Sequence, residues 1–130
     1  MYTKLLMILS ASGMALLGLG ASFFPQEILG YCGLPNEAVA VLLVQGAGAL
    51  NLGFAILNWM ARTSPIGGIY GRPIGLGNFF HLAVMAVALV KAAIADQHAY
   101  LVLGAAAAYS VFAVWFGVVV FVAPKPGSAT

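Results

Sequence analysis

Four long apolar stretches follow one another along the chain, separated by short breaks rich in proline, glycine or polar residues. A helix needs about 20 residues to cross the hydrocarbon core of a bilayer. Runs over about 5–24, 38–60, 73–95 and 99–122 meet that length. The breaks carry helix signals. Pro25 ends the first run, and Asn36 and Glu37 suit the start of the second as N-cap and dipole partner. Pro73 suits the first turn of the third. Asp96 suits the N-cap of the fourth, which Pro124 and Pro126 close. The pattern predicts an all-α integral membrane four-helix bundle, a single four-span domain over residues 1–130. Lys4 ahead of the first apolar run resembles a signal peptide, but the run continues to Phe24 without a clear small-x-small site, Gly18-Leu19-Gly20 coming nearest. It reads as a retained first span.

Composition supports this picture. Apolar residues make up 63% and charged residues 6% of the chain, against about 25% charged in a soluble domain. The few charges are sorted. Lys4, Arg62, Arg72 and Lys125 fall on one side of a four-span topology, and Glu27, Glu37 and Asp96 on the other. Basic flanks favour the cytoplasm, so both termini are expected there. Lys91 alone sits with the acids, where its long stem can snorkel outward. Five basic residues, scattered, make no nucleic-acid surface.

Polar groups at membrane depth are costly unless partnered, so they are the informative positions. On the second span Gly48, Asn51, Ala55, Asn58 and Arg62 share one helical face. On the third, Asn78 and His81 begin a face that Met85 and Ala88 continue. Antiparallel packing of the two spans would bring Asn58 and Arg62 to the depth of Asn78 and His81. The joining segment, with both arginines and a run of glycines including Gly67, Gly68 and Gly71, is expected to fold back as a cap, through positive φ or close backbone approach. Asn51, Asn58, Arg62, Arg72, Asn78 and His81 are therefore candidates for holding the head of a lipid-like or quinone-like amphiphile. The alternative is that the asparagines and His81 bond across helices while the arginines anchor at headgroups. Gln45 could line an outer part of that cavity or bond a neighbouring helix. Gly46, Ala49 and Gly53 on the second span, and Ala106, Ser110, Ala113 and Gly117 on the fourth, are expected helix contact faces. Tyr2, Trp59, Tyr70, Tyr100 and the Phe23-Phe24 and Phe79-Phe80 pairs fit an interfacial aromatic belt.

Several chemistries lack their residues. Cys32 is the one cysteine, so there is no CxxC pair. His81 and His98 lie ~25 Å apart along a helix, too far to ligate one haem. No His/Cys/Glu pattern offers a metal site, and all acids fall in loops. No catalytic residues are assigned, and an enzyme is not expected.

The segment Leu16-Leu-Gly-Leu-Gly-Ala-Ser-Phe-Phe-Pro-Gln-Glu-Ile-Leu-Gly-Tyr-Cys-Gly-Leu-Pro35, followed by Gln45-Gly-Ala-Gly-Ala-Leu-Asn-Leu-Gly-Phe-Ala-Ile-Leu57, resembles the small four-span DoxX-like bacterial membrane proteins. In these, a glycine-rich first helix ends at an FxP-type turn and a GLP precedes a glycine-rich second helix. The likeness covers about the first half of the chain. It implies a bacterial inner-membrane location, and some such relatives are subunits of quinone-linked oxidoreductases. Relatives often carry a basic residue where this chain has Gln45. The leading expectation is a non-catalytic protein that binds a lipid-like or quinone-like amphiphile in the cytoplasmic half of the bundle. The rival is an accessory subunit of a larger respiratory or photosynthetic type of membrane complex, and a homo-oligomer is a further expectation.

Overall fold

The computed structural model describes residues 2–66, 68–96 and 99–122. Gly67, His98, Pro124, Lys125 and Pro126, all invoked above, lie outside the described residues. The helices are α1 (Tyr2–Phe23), α2 (Pro25–Tyr31), α3 (Ala38–Ala61), α4 (Arg72–Ala95) and α5 (Tyr100–Gly117), the last continuing as a π-helix over Val118–Val122. There is no strand among the described residues, so the chain is all-α. Four helices, α1, α3, α4 and α5 with its π-helical end, are long and apolar enough to cross a membrane. A third or less of each is buried within the chain, and the remaining apolar surface faces outward. This suits a multi-pass membrane protein.

The breaks differ from expectation in detail. Pro25 does end the first run, but it also opens the short helix α2, with Glu27 in the first turn. Proline lacks an amide hydrogen that the first turn leaves unbonded anyway, and the carboxylate suits the positive helix end. Helix α2 then stops in a Schellman turn: the Leu34 N–H donates to the Leu29 carbonyl at 2.9 Å and the Gly33 N–H to Gly30 at 3.1 Å. Gly33 has φ 68°, a left-handed conformation that glycine adopts without a Cβ penalty. In α3 the first helical bond runs from the Val41 N–H to the Glu37 carbonyl, so Glu37, not Asn36, is the capping position. Asp96 ends α4 instead of opening α5, its N–H donating to Ala92. Ala99 precedes α5, with no side-chain cap. Pro73 lies in the first turn of α4, as the sequence predicts.

The chain falls into two compact units: residues 8–60, and the described residues of 2–7 with 61–122. In the first, α1 and α3 cross at glycine. A Cβ on Gly18 would lie 2.9 Å from the backbone nitrogen of Leu52, and one on Gly48 would lie 2.7 Å from that of Ser22. Such approach is open only to residues without a side chain. The predicted face Gly46, Ala49, Gly53 is exposed, and nothing lies within 4 Å of a Cβ on Gly46 or Gly53. Contact instead uses the face 48, 51, 55 and 58.

In the second unit α4 packs on α5. Ala106 and Ala113 are buried and Gly117 lies under the Phe79 ring, so the expected small-residue face of the fourth span is a contact face. At this end Phe79 meets Phe121 edge-on, with ring centres 5.2 Å apart, and Gly75 lies against Val120.

Candidate functional site

In the unit 8–60, a polar and small stripe of α1 meets the face of α3 that the sequence singles out. Asn58 is fully buried, and its side-chain amide donates to the Ser10 hydroxyl at 3.1 Å and to the Met14 sulfur at 3.7 Å. Asn51, 5% exposed, donates to the Ala47 carbonyl one turn back at 2.9 Å. Further along, the Gln45 amide donates to the Ser22 carbonyl at 3.4 Å, which makes Gln45 a bond to a neighbouring helix. A buried amide without partners would cost a few kcal/mol. The Asn58 and Gln45 bonds run between helices, whereas the Asn51 bond stays within α3.

Sequence reasoning missed the α1 side of this seam. Ser10, Met14, Gly18 and Ser22 recur every four residues, which places them along one face of the helix. That repeat was the available signal.

In the other unit, Arg62 lies just past the end of α3 in a half-buried turn and Arg72 opens α4, exposed. Asn78 is fully buried and donates to the Ile74 carbonyl at 3.0 Å. His81 is half-buried, with its ring edge-on to Tyr109 at 5.9 Å between centres. The buried face of α4 runs Gly75, Asn78, Leu82, Ala86, Ala93. It is rotated from the expected Asn78, His81, Met85, Ala88 stripe, and Ala88 is exposed. The connection before α4 does fold back on that helix. Ile66 is fully buried, the Arg72 N–H donates to Gly68 at 2.8 Å, and the Gly71 backbone approaches Pro65 and Ile66 where no Cβ would fit. Close approach is the device: among the described residues positive φ occurs at Gly33 alone. Asn51 and Asn58 thus belong to one unit, and Arg62, Arg72, Asn78 and His81 to the other.

A further opening lies elsewhere. A cleft of about 350 Å³ runs between the last turns of α4 and the first turns of α5, lined by Val90, Ala93, Ile94, Leu103, Ala106, Ala107 and Ser110. It contains none of the six candidate residues. The Ser110 hydroxyl is turned to its own helix, donating to the Ala106 carbonyl at 2.7 Å, so the walls are effectively apolar. The close contacts of Gly75 and Gly117 lie at the opposite end of this helix pair. Among the described residues no three His, Cys, Asp or Glu side chains come together to share a metal ion.

Compared with models of known protein families, with curated proteins and with solved structures, the chain matches none.

Proposed function

We propose that this chain is a non-catalytic, multi-pass protein of the bacterial cytoplasmic membrane, both termini inside, that retains the chain of a lipid-like or quinone-like amphiphile between α4 and α5. The observation that carries this reading is the apolar cleft from Val90 to Ser110. Its volume falls at the lower end of the ~300–1,000 Å³ typical of small-molecule sites. The helices around it are apolar and face outward, so an acyl or isoprenoid chain would enter sideways from the bilayer. The sorting of Lys4, Arg62 and Arg72 against Glu27, Glu37 and Asp96 supports the orientation. The resemblance to DoxX-like proteins supports the bacterial membrane and admits a quinone as occupant.

The test is native mass spectrometry of the protein gently extracted from its own membrane, with identification of the bound small molecules. One retained amphiphile, absent from Ala107→Phe, is the expected result. Ala107 is exposed and lines the cleft, so phenylalanine there fills the gap without entering the core. A wild-type protein that retains no amphiphile would overturn the reading.

A second reading, an accessory subunit docked on a larger complex, is favoured by one observation. Gly46, Ala49 and Gly53 form an exposed small-residue face on α3, the kind that lets helix backbones approach in lipid. It predicts a stoichiometric protein partner after mild extraction, lost on Gly46→Leu.

A further inference from the structure

A second surface stands apart from the cleft, on the connection from α3 to α4. We propose that its exposed pair, Ile69 and Tyr70, sits in the headgroup layer of the membrane and that Arg72 beside the pair holds the phosphate of an anionic phospholipid. The proposal rests on the multi-pass reading above and not on what fills the cleft.

The connection divides its large apolar side chains. Ile66 is fully buried, whereas Ile69 is 88% and Tyr70 95% exposed. Both are more exposed than any large apolar side chain of the four long helices. Lipid tails cover such side chains on a spanning helix, but on a connection between spans they need another cover. The backbone holds the pair outward. The Gly68 N–H donates to the Pro65 carbonyl at 3.0 Å and the Arg72 N–H to the Gly68 carbonyl at 2.8 Å, so Ile69 and Tyr70 crown a closed turn. Gly71 closes the base of that turn against Pro65 and Ile66.

The neighbouring charge chooses the cover. Arg72 is exposed and follows Ile69 by three residues across this turn, the spacing of neighbours on a helical surface. As the first residue of α4 it stands at the positive end of the helix dipole, a place that helix stability alone disfavours. An aliphatic side chain, a tyrosine and an arginine together match the layer where hydrocarbon meets phosphate. The tyrosine is apolar in its ring and polar at its tip, and a guanidinium forks onto phosphate oxygens. Arg62, at the other foot of the connection, adds positive charge, while Glu27, Glu37 and Asp96 all lie outside it. A protein partner would have to bring an anion and an apolar surface together. An anionic bilayer offers both where α3 ends and α4 begins, and the attraction of basic residues to it is strongest at this level.

The experiment reconstitutes the full chain carrying Tyr70→Trp in nanodiscs and measures the fluorescence quenching by bromine-bearing lipids that exceeds that of the parent chain, which holds Trp59 and Trp115. Bromine-bearing phosphatidylcholine should quench the introduced indole. Bromine-bearing phosphatidylglycerol should do so with about fivefold higher affinity, the ratio that one arginine gives near an anionic surface. Adding Arg72→Gln should remove most of that preference while quenching by phosphatidylcholine persists, and Arg72→Lys should keep it. Quenching by neither lipid, with the indole open to acrylamide in water, would overturn the proposal; a pair meant for a protein partner would behave in this way. Equal affinity for the two lipids, or a preference unchanged by Arg72→Gln, would overturn the phosphate assignment. Circular dichroism of each variant establishes that the helices are intact.

Discussion

The Asn58 amide donates to the Ser10 hydroxyl across 48 positions of sequence, tying the end of α3 to the beginning of α1 in a fully buried setting. Interhelical hydrogen bonds in membranes contribute on average ~0.6 kcal/mol and up to ~1.7. Ser10→Ala and Asn58→Ala should each destabilise the protein, and the double variant should lose less than their sum by about that amount. Unfolding in mixed micelles measures it. Strictly additive losses would mean the pair does not interact.

Alanine at the two close crossings should behave unlike alanine on the exposed glycine face. Gly18→Ala and Gly48→Ala push a Cβ against backbone atoms that cannot rotate away, and overpacking of this kind costs about 1–3 kcal/mol. Gly46→Ala and Gly53→Ala meet nothing within 4 Å and should be neutral or stabilise by up to ~1 kcal/mol through helix propensity. The comparison of thermal midpoints in one detergent decides it; equal effects at all four positions would remove the crossing.

Gly33→Ala should cost about 1 kcal/mol, because the left-handed φ of 68° is strained for alanine although there is open space around it. Gly30→Ala, three residues earlier inside α2 and equally uncrowded, should not destabilise. The same unfolding assay separates them.

Sidedness is open to chemical labelling. In a Cys32→Ser background, Glu37→Cys should react with an impermeant maleimide on intact cells, and Ser64→Cys only after permeabilisation. Both positions are exposed, so access and not burial controls the reaction. The reverse pattern would invert the proposed topology.

The number of long apolar helices and the buried face of α3 could be read from sequence because each rests on a strong signal. Twenty-residue apolar runs leave few alternatives, and asparagine in such a run must face a partner. The polar spacing of Gly48, Asn51, Ala55 and Asn58 marks the positions that are buried. The glycines alone pointed to the wrong face, because α3 carries two interleaved small-residue faces and periodicity does not rank them. Helix α2 escaped notice because Pro25 was read as a stop, although proline opens a helix as readily as it ends one. The cleft had no signature at all. Its alanines, valine, isoleucine and leucine are the residues that would face lipid anyway, and only the packing of α4 beside α5 brings them together.

The π-helical end of α5 has a consequence for how the chain tolerates changes in length. Five residues wound with i→i+5 bonds hold more residues per turn than an α-helix, as though a residue had been inserted and absorbed locally. Deleting one valine from Val118–Val120 would let the segment relax to an α-helix with the residues beyond it still in phase, leaving Phe121 facing Phe79. Shortening the chain here by a single residue would therefore spare the aromatic contact, whereas the same deletion in the regular part of α5 would rotate it by about 100°.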